Sequence, residues 1–247
     1  MTRFTLLLLA AALTPTLAFG DERPYAFTYE ATTEAAGETE VELYETYYAP
    51  TTDGDTGHKA VHQLEIGHGI TDQFDLALYT VFQSTTAKPF ELQGFKLRGR
   101  YKLLTAATAP LDLVLYLEGA KDVVGEKAWA LEEKLIFGRD IGAFGFSVNL
   151  IAEQEFEAGE TIKIWGWSAG ANVKVADGLR VGGETFGEWA DVTGSETEAF
   201  AGPSAVVALP FLRFGSINSA WLTVGVGFGL NRASDDLRAR AILGVDF

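Results

Sequence analysis

From Glu38 to Phe247 the chain alternates apolar and polar residues in one segment after another. Successive side chains of a strand leave the backbone on opposite faces, so a period of two marks a strand with two unlike faces. In "LDLVLYLEG", Leu111, Leu113, Leu115 and Leu117 share one face, and Asp112, Val114, Tyr116 and Glu118 share the other. "FDLALYTVF", "FGFSVNLIAE" and "WGWSAGANVKV" repeat the pattern. It predicts an all-β chain of about twelve strands, each near the ~9–11 residues that a tilted strand needs to cross a bilayer. The predicted spans are 38–48, 59–69, 73–83, 93–104, 109–120, 127–138, 143–154, 161–175, 178–188, 197–208, 218–229 and 237–247.

The connections alternate as well. "GITDQ", "GRDIGA" and "ADG" are tight, whereas "APTTDGDTGH", "QSTTAKPFELQ" and "WADVTGSETEA" are longer and polar. Short turns at one end and long loops at the other are the pattern of an antiparallel up-and-down transmembrane barrel. "TAATAPL" and "LPFLRFGSINS" are long for the short-turn end. A soluble sandwich or ligand-binding barrel also alternates. The Leu-, Phe- and Val-rich faces in nearly every strand favour the transmembrane reading. So do the charges on the opposite faces, which a hydrated lumen can solvate.

The N-terminus sets the compartment. Arg3, the apolar run Leu6–Leu13, Pro15 and the small-x-small stretch Ala18-Phe19-Gly20 make residues 1–20 a predicted cleaved secretory signal peptide. The apolar run is shorter than a spanning helix. The predicted organisation is signal peptide 1–20, a periplasmic N-terminal segment 21–37 and a barrel 38–247, and the sequence leaves open whether 21–37 instead plugs the lumen or adds a strand. Cysteine is absent, which excludes a disulfide framework, a thiolate metal site and a thiol nucleophile. A formal net charge of −15 argues against nucleic acid as a partner.

The chain ends on "LRARAILGVDF", an alternating strand closed by an aromatic residue. This ending resembles the C-terminal signal of Gram-negative outer-membrane barrels. The resemblance implies that Phe247 is read by the barrel-assembly machinery. A second stretch, "RPYAFTYEATTEAAGETEVELYETYY", carries Arg23, Pro24, Tyr25, Tyr29, Glu30, Gly37 and Glu40. It resembles the opening of a porin- and transporter-like group of small Gram-negative outer-membrane β-barrels. That likeness implies an outer-membrane location and brings no substrate with it. Surroundings of lipid and lipopolysaccharide, small solutes as cargo and a monomer are what the barrel reading itself leads one to expect.

If the apolar faces meet lipid, the remaining residues line the lumen. The candidates are Lys96, Arg98, Arg100 and Lys102 on the fourth strand, with Glu118, Glu132, Lys134, Glu153, Arg180 and Glu184 on later ones. Arg238 and Arg240 on the last strand are expected beside Glu40 and Glu42 of the first. Asp75 and Asp112 are further acidic neighbours. A basic fourth strand would favour anionic solutes, while opposite charges paired across strands would fill the lumen instead. Pairing is the favoured expectation, since such pairs add ~0.2–1 kcal/mol and shelter charges that cost ~2–4 kcal/mol at the lipid midplane. Glu45 and Glu133 fall on the wrong face for this scheme.

Tyr47, Tyr48, Phe82, Trp129, Phe156, Trp165 and Trp167 near one set of strand ends, and Phe137, Phe144 and Trp221 near the other, read as interface girdles. The three histidines, His58, His62 and His68, are too spread along strand sequence to share a metal, and no His-x-Ser motif is present. Acidic residues in the connections, Asp53, Asp55, Glu155, Glu157, Glu160, Asp191, Asp235 and Asp236, read as solvated loop charge. The expected function is a porin-like channel for passive passage of small polar or charged solutes, with no cofactor, no metal and no enzymatic role. A structural or adhesion barrel with a blocked lumen is the alternative, and a lipid-acting enzyme is a more remote one.

Overall fold

The computed structural model describes residues 22–49, 57–124, 129–157 and 159–247. Twelve antiparallel strands close into a barrel. They are β1 (Thr39–Ala49), β2 (Lys59–Thr71), β3 (Phe74–Thr85), β4 (Glu91–Leu104), β5 (Asp112–Asp122) and β6 (Trp129–Ile141). They continue with β7 (Phe144–Glu157), β8 (Glu160–Ala176), β9 (Leu179–Ala190), β10 (Glu198–Ala208), β11 (Ser219–Gly229) and β12 (Leu237–Asp246). Each strand pairs with its sequence neighbours, and β1 pairs with β12 to close the ring. Closure leaves no sheet edge, so every strand's backbone groups find partners.

The predicted spans match the observed strands to within a few residues. Two of the tight turns rest on glycines in the left-handed region, Gly142 (φ 62°) and Gly178 (φ 69°), where a side chain would be strained. The longer stretches 105–111 and 209–218 lie at the same end as these turns, the second carrying a short 3-10 turn at Pro210–Leu212.

The faces divide as the alternation requires. Leu43, Leu78, Leu97, Leu117, Leu135 and Leu150 point outward and are exposed on the barrel wall. A belt of this kind is stable against hydrocarbon and not against water. Trp129, Trp165 and Trp189 border it towards the long-loop end, and Phe144, Phe211 and Phe214 towards the short-turn end. Two girdle assignments need correction. Trp221 points into the barrel and is fully buried, packed against Gly244, and Tyr48 also faces inward, beside Arg238. Among the described residues no helix is long and apolar enough to cross a membrane; the crossing elements are strands.

The segment 21–37 is assigned to the periplasm by its place before the first strand, with a lumen plug or an added strand left open. Residues 22–37 lie instead inside the barrel. The segment enters at the short-turn end, bends at residues 26–28 and returns to the same end to begin β1. Arg23, Tyr25, Ala26, Thr28, Ala31, Thr33 and Glu34 are all buried against the inner wall. Residues 1–21, including the predicted cleavage site, and the loop residues Asp53 and Asp55 lie outside the described residues.

Candidate functional site: an occupied, charge-lined lumen

Two unlike walls hold the N-terminal segment. The first, on β1–β6, is ionic. Arg98 of β4 reaches Glu65 of β2 at 2.7 Å and Asp75 of β3 at 3.5 Å, and donates to the Tyr79 hydroxyl at 2.9 Å. Arg100 contacts Asp75 at 2.8 Å and Glu34 of the segment at 2.8 Å. Arg23 of the segment contacts Glu42 of β1 at 3.2 Å and Glu30 at 3.6 Å. The Tyr44 hydroxyl lies 2.7 Å from both Glu42 and Glu65 and joins the two halves. One chain of charged groups thus runs from Arg23 to Glu34, tying both ends of the segment to the same wall. The members are almost free of solvent, so each charge depends on its partner.

Further around this wall, Glu118 of β5, Glu132 of β6 and Glu153 of β7 are aligned across the strands. Lys96 contacts Glu118 at 2.9 Å, and Lys134 contacts Glu132 at 2.9 Å. The Lys134 ammonium also lies 4.4 Å from the Tyr29 and Tyr116 ring centres, so a cation is shared between wall and segment.

The second wall, on β7–β12, grips the segment mainly through its backbone. Asn149 accepts from the Tyr29 N–H at 2.8 Å and donates to its carbonyl at 2.8 Å, and Ser147 donates to the same carbonyl at 2.6 Å. The Glu184 carboxylate accepts from the Ala26 and Phe27 N–H groups at 2.7 and 2.8 Å. Arg240 donates to the Ala26 carbonyl at 3.0 Å, Asn172 to the Tyr25 hydroxyl at 2.6 Å, and Thr223 to the Arg23 carbonyl. Phe27 stacks on Phe186 at 4.2 Å, and Phe186 on Phe200 at 5.0 Å. An irregular stretch buried in a lumen needs outside partners for its peptide groups, and these side chains supply them.

Glycines make the room. A Cβ on Gly170 would lie 2.5 Å from the Tyr25 ring, and one on Gly225 would lie 2.5 Å from the Ala26 Cβ. At the short-turn mouth a cavity of ≈ 320 Å³ remains, lined by Glu22, Tyr25, Glu30, Asp140 and Arg180 among others. Arg180 bridges Asn172 at 2.8 Å and Asp140 at 3.1 Å there. Burial pushes the Glu22 carboxyl up from its ordinary range, against the pull of Arg180 and Lys174.

All twelve sequence-derived lumen candidates lie on inward positions of the ladder. Lys102 stands apart from the clusters, opposite Val114 near the short-turn end. The expected closure pairs are different. Arg240 lies opposite Thr46, donating to its hydroxyl at 2.8 Å, and Arg238 lies opposite Tyr48 and contacts Glu198 and Asp235. Glu40 and Glu42 instead face Asp246 and Gly244 across the closure. Antiparallel pairing sends the start of β1 to the end of β12, so the arginines at the start of β12 meet the far half of β1. Phe247 points outward, and its backbone pairs with Thr39 in both directions. Sequence reasoning missed Glu65 and the partners of the segment. Glu65 was readable from its inward place in "HQLEIGHGI"; Asn149, Ser147, Asn172 and Thr223 carried no signal beyond lying on inward faces.

No protein-family profile matches the sequence, and no curated protein matches it. Solved structures do match its fold. The COG4313 outer-membrane channel from Pseudomonas putida F1 superposes with a TM-score of 0.59 at 14% identity, covering 88% of this chain and 98% of the channel. The NanC porin superposes with a TM-score of 0.57 at 7% identity, covering 84% and 98%. The translocator domain of the autotransporter NalP from Neisseria meningitidis gives 0.50 at 11% identity, covering 87% and 89%. The fold is that of bacterial outer-membrane β-barrels.

Proposed function

We propose that this barrel resides in the outer membrane, after export by a cleaved signal peptide, as a monomeric channel for small polar or charged solutes. In this reading its resting lumen is closed down by its own residues 22–36. The observation that carries the proposal is the lumen itself. Its inward faces are charged and polar around much of the ring, and the segment that occupies them is not a strand of the wall. It is held by side-chain contacts, which can be exchanged for water without opening the barrel. The fold neighbours that are an outer-membrane channel and a porin support the same reading. The surroundings are lipid and lipopolysaccharide, and insertion is directed by the terminal strand ending on Phe247.

The packing of the segment also favours a second reading, a barrel kept permanently closed for a structural or adhesive purpose. Planar-bilayer recording separates the two. The full mature chain is expected to give small or intermittent steps, and a variant lacking residues 22–36 stable and larger ones. A silent deletion variant that is still a folded, heat-modifiable barrel would reject the channel.

A further inference from the structure

Outside the barrel, near the long-loop end, three side chains from three adjacent strands form a connected set. His62 of β2 stands directly across from Glu45 of β1, with Nδ1 2.5 Å from a Glu45 carboxylate oxygen. Its other ring nitrogen, Nε2, lies 2.9 Å from the Ser84 hydroxyl of β3. The lumen chemistry uses none of the three. We propose that Ser84, His62 and Glu45 form an esterase site facing the membrane, which cleaves carboxylic esters at the headgroup boundary of the outer-leaflet lipid.

The connectivity carries the proposal. Carboxylate to Nδ1 and hydroxyl to Nε2 is the order in which an imidazole takes a proton from a serine while an acid fixes its tautomer. A polar patch tolerated at a membrane rim has no need of that order. Depth fits as well. Ser84 is one residue from the end of its strand, His62 three and Glu45 four, so the set lies within ~13 Å of the long-loop rim at ~3.3 Å per residue. Lipid esters lie at this level, between headgroup and chains. Beside the set is an apolar wall. Phe90 stacks on Phe82 at 4.7 Å and lies 5.3 Å from the His62 ring, and it is 60% exposed. An acyl chain can lie along it while its ester reaches Ser84.

The steps balance. Ser84 Oγ adds to the ester carbonyl and gives its proton to His62 Nε2. The ester C–O bond breaks, and His62 returns that proton to the departing alcohol. Water then attacks the acyl-serine, giving its proton to His62, which hands it to Ser84 Oγ as the carboxylate leaves. Ester and water become acid and alcohol. Ser84 is the nucleophile and His62 the base; Glu45 is a positioning residue.

Purified barrel in mixed micelles tests this, with acyl-labelled phosphatidylethanolamine in one arm and lipopolysaccharide in the other. Release of fatty acid is expected from at least one arm, and the arm identifies the lipid. Ser84→Ala and His62→Ala should lower release ~100-fold or more while leaving heat modifiability unchanged. Glu45→Gln should lower the rate and move the acidic limb of its pH profile, which a packing role would not do. A fluorophosphonate should label Ser84, as located by mass spectrometry. No release in either arm together with no labelling of Ser84 overturns the proposal, as does release that survives Ser84→Ala.

Discussion

At the scale of single residues the lumen depends on pairing. Arg98 is the common partner of Glu65 and Asp75, and all three are almost fully buried. Replacing it with Met would leave both carboxylates without that partner. Breaking a buried ion pair from one side costs about 3–5 kcal/mol. Arg98→Met should therefore lower the temperature at which the barrel loses its compact form on gels, and adding Glu65→Gln should recover part of the loss. Equal stability of Arg98→Met and the parent would show that the network is idle. Most of this was readable from the sequence, because a period of two is enough to sort residues onto inner and outer faces. Glu45 is the instructive exception. On alternation alone it looked misplaced. It is on the outer face after all, and its reason is His62 on the neighbouring strand, which no pattern within one strand reveals.

At the scale of elements, the N-terminal segment and the closure make separate demands. The segment has no periodicity, and its partners are single polar residues scattered over many strands, so the sequence left its location open. In the structure Thr28 is fully buried and Gly170 lies against Tyr25. A Val side chain at position 170 cannot share that space. With a reporter Thr28→Cys, a maleimide that is too large to enter the occupied lumen should react slowly. Adding Gly170→Val should speed the reaction ~tenfold or more by displacing the segment, as a tightly packed site has no slack to absorb a branched side chain. Unchanged protection would mean that the segment is held elsewhere. The closure is tested by register. Leu43 and Leu243 are direct partners across β1 and β12, whereas Glu40 and Arg240 are far out of register. Because the chain has no native cysteine, cysteines at 43 and 243 should cross-link under mild oxidation and cysteines at 40 and 240 should not. Twelve strands and their order were legible from alternation and loop length. The closure pairing was misassigned at the register, although antiparallel closure already sends the start of β1 to the end of β12 and so places Arg238 and Arg240 opposite Tyr48 and Thr46 rather than Glu40 and Glu42.

At the scale of the whole molecule, the sign of the lumen decides what an opened barrel would pass. The basic run on β4 suggested a preference for anions. In the ring, however, Lys96, Arg98 and Arg100 are each matched by carboxylates. The inward ladder also carries Glu40, Glu132, Glu153, Glu184, Glu188 and Asp246 against Lys102, Lys134, Arg180, Arg238 and Arg240, a narrow acidic excess, within a chain of formal net charge −15. Removing residues 22–36 takes away Glu22, Arg23, Glu30 and Glu34 together, which leaves the excess of carboxylates on the wall in place. A narrow, low-dielectric passage focuses the field of such a wall and raises the local concentration of the opposite charge. The deletion variant should therefore be cation-selective. In a tenfold potassium chloride gradient its reversal potential should indicate potassium favoured over chloride by roughly threefold or more at low ionic strength. The preference should shrink towards 1 M salt, where the screening length falls to ~3 Å. Anion selectivity would show that the β4 cations are free of their partners once the segment is gone, and that the ion pairs seen in the closed barrel depend on it.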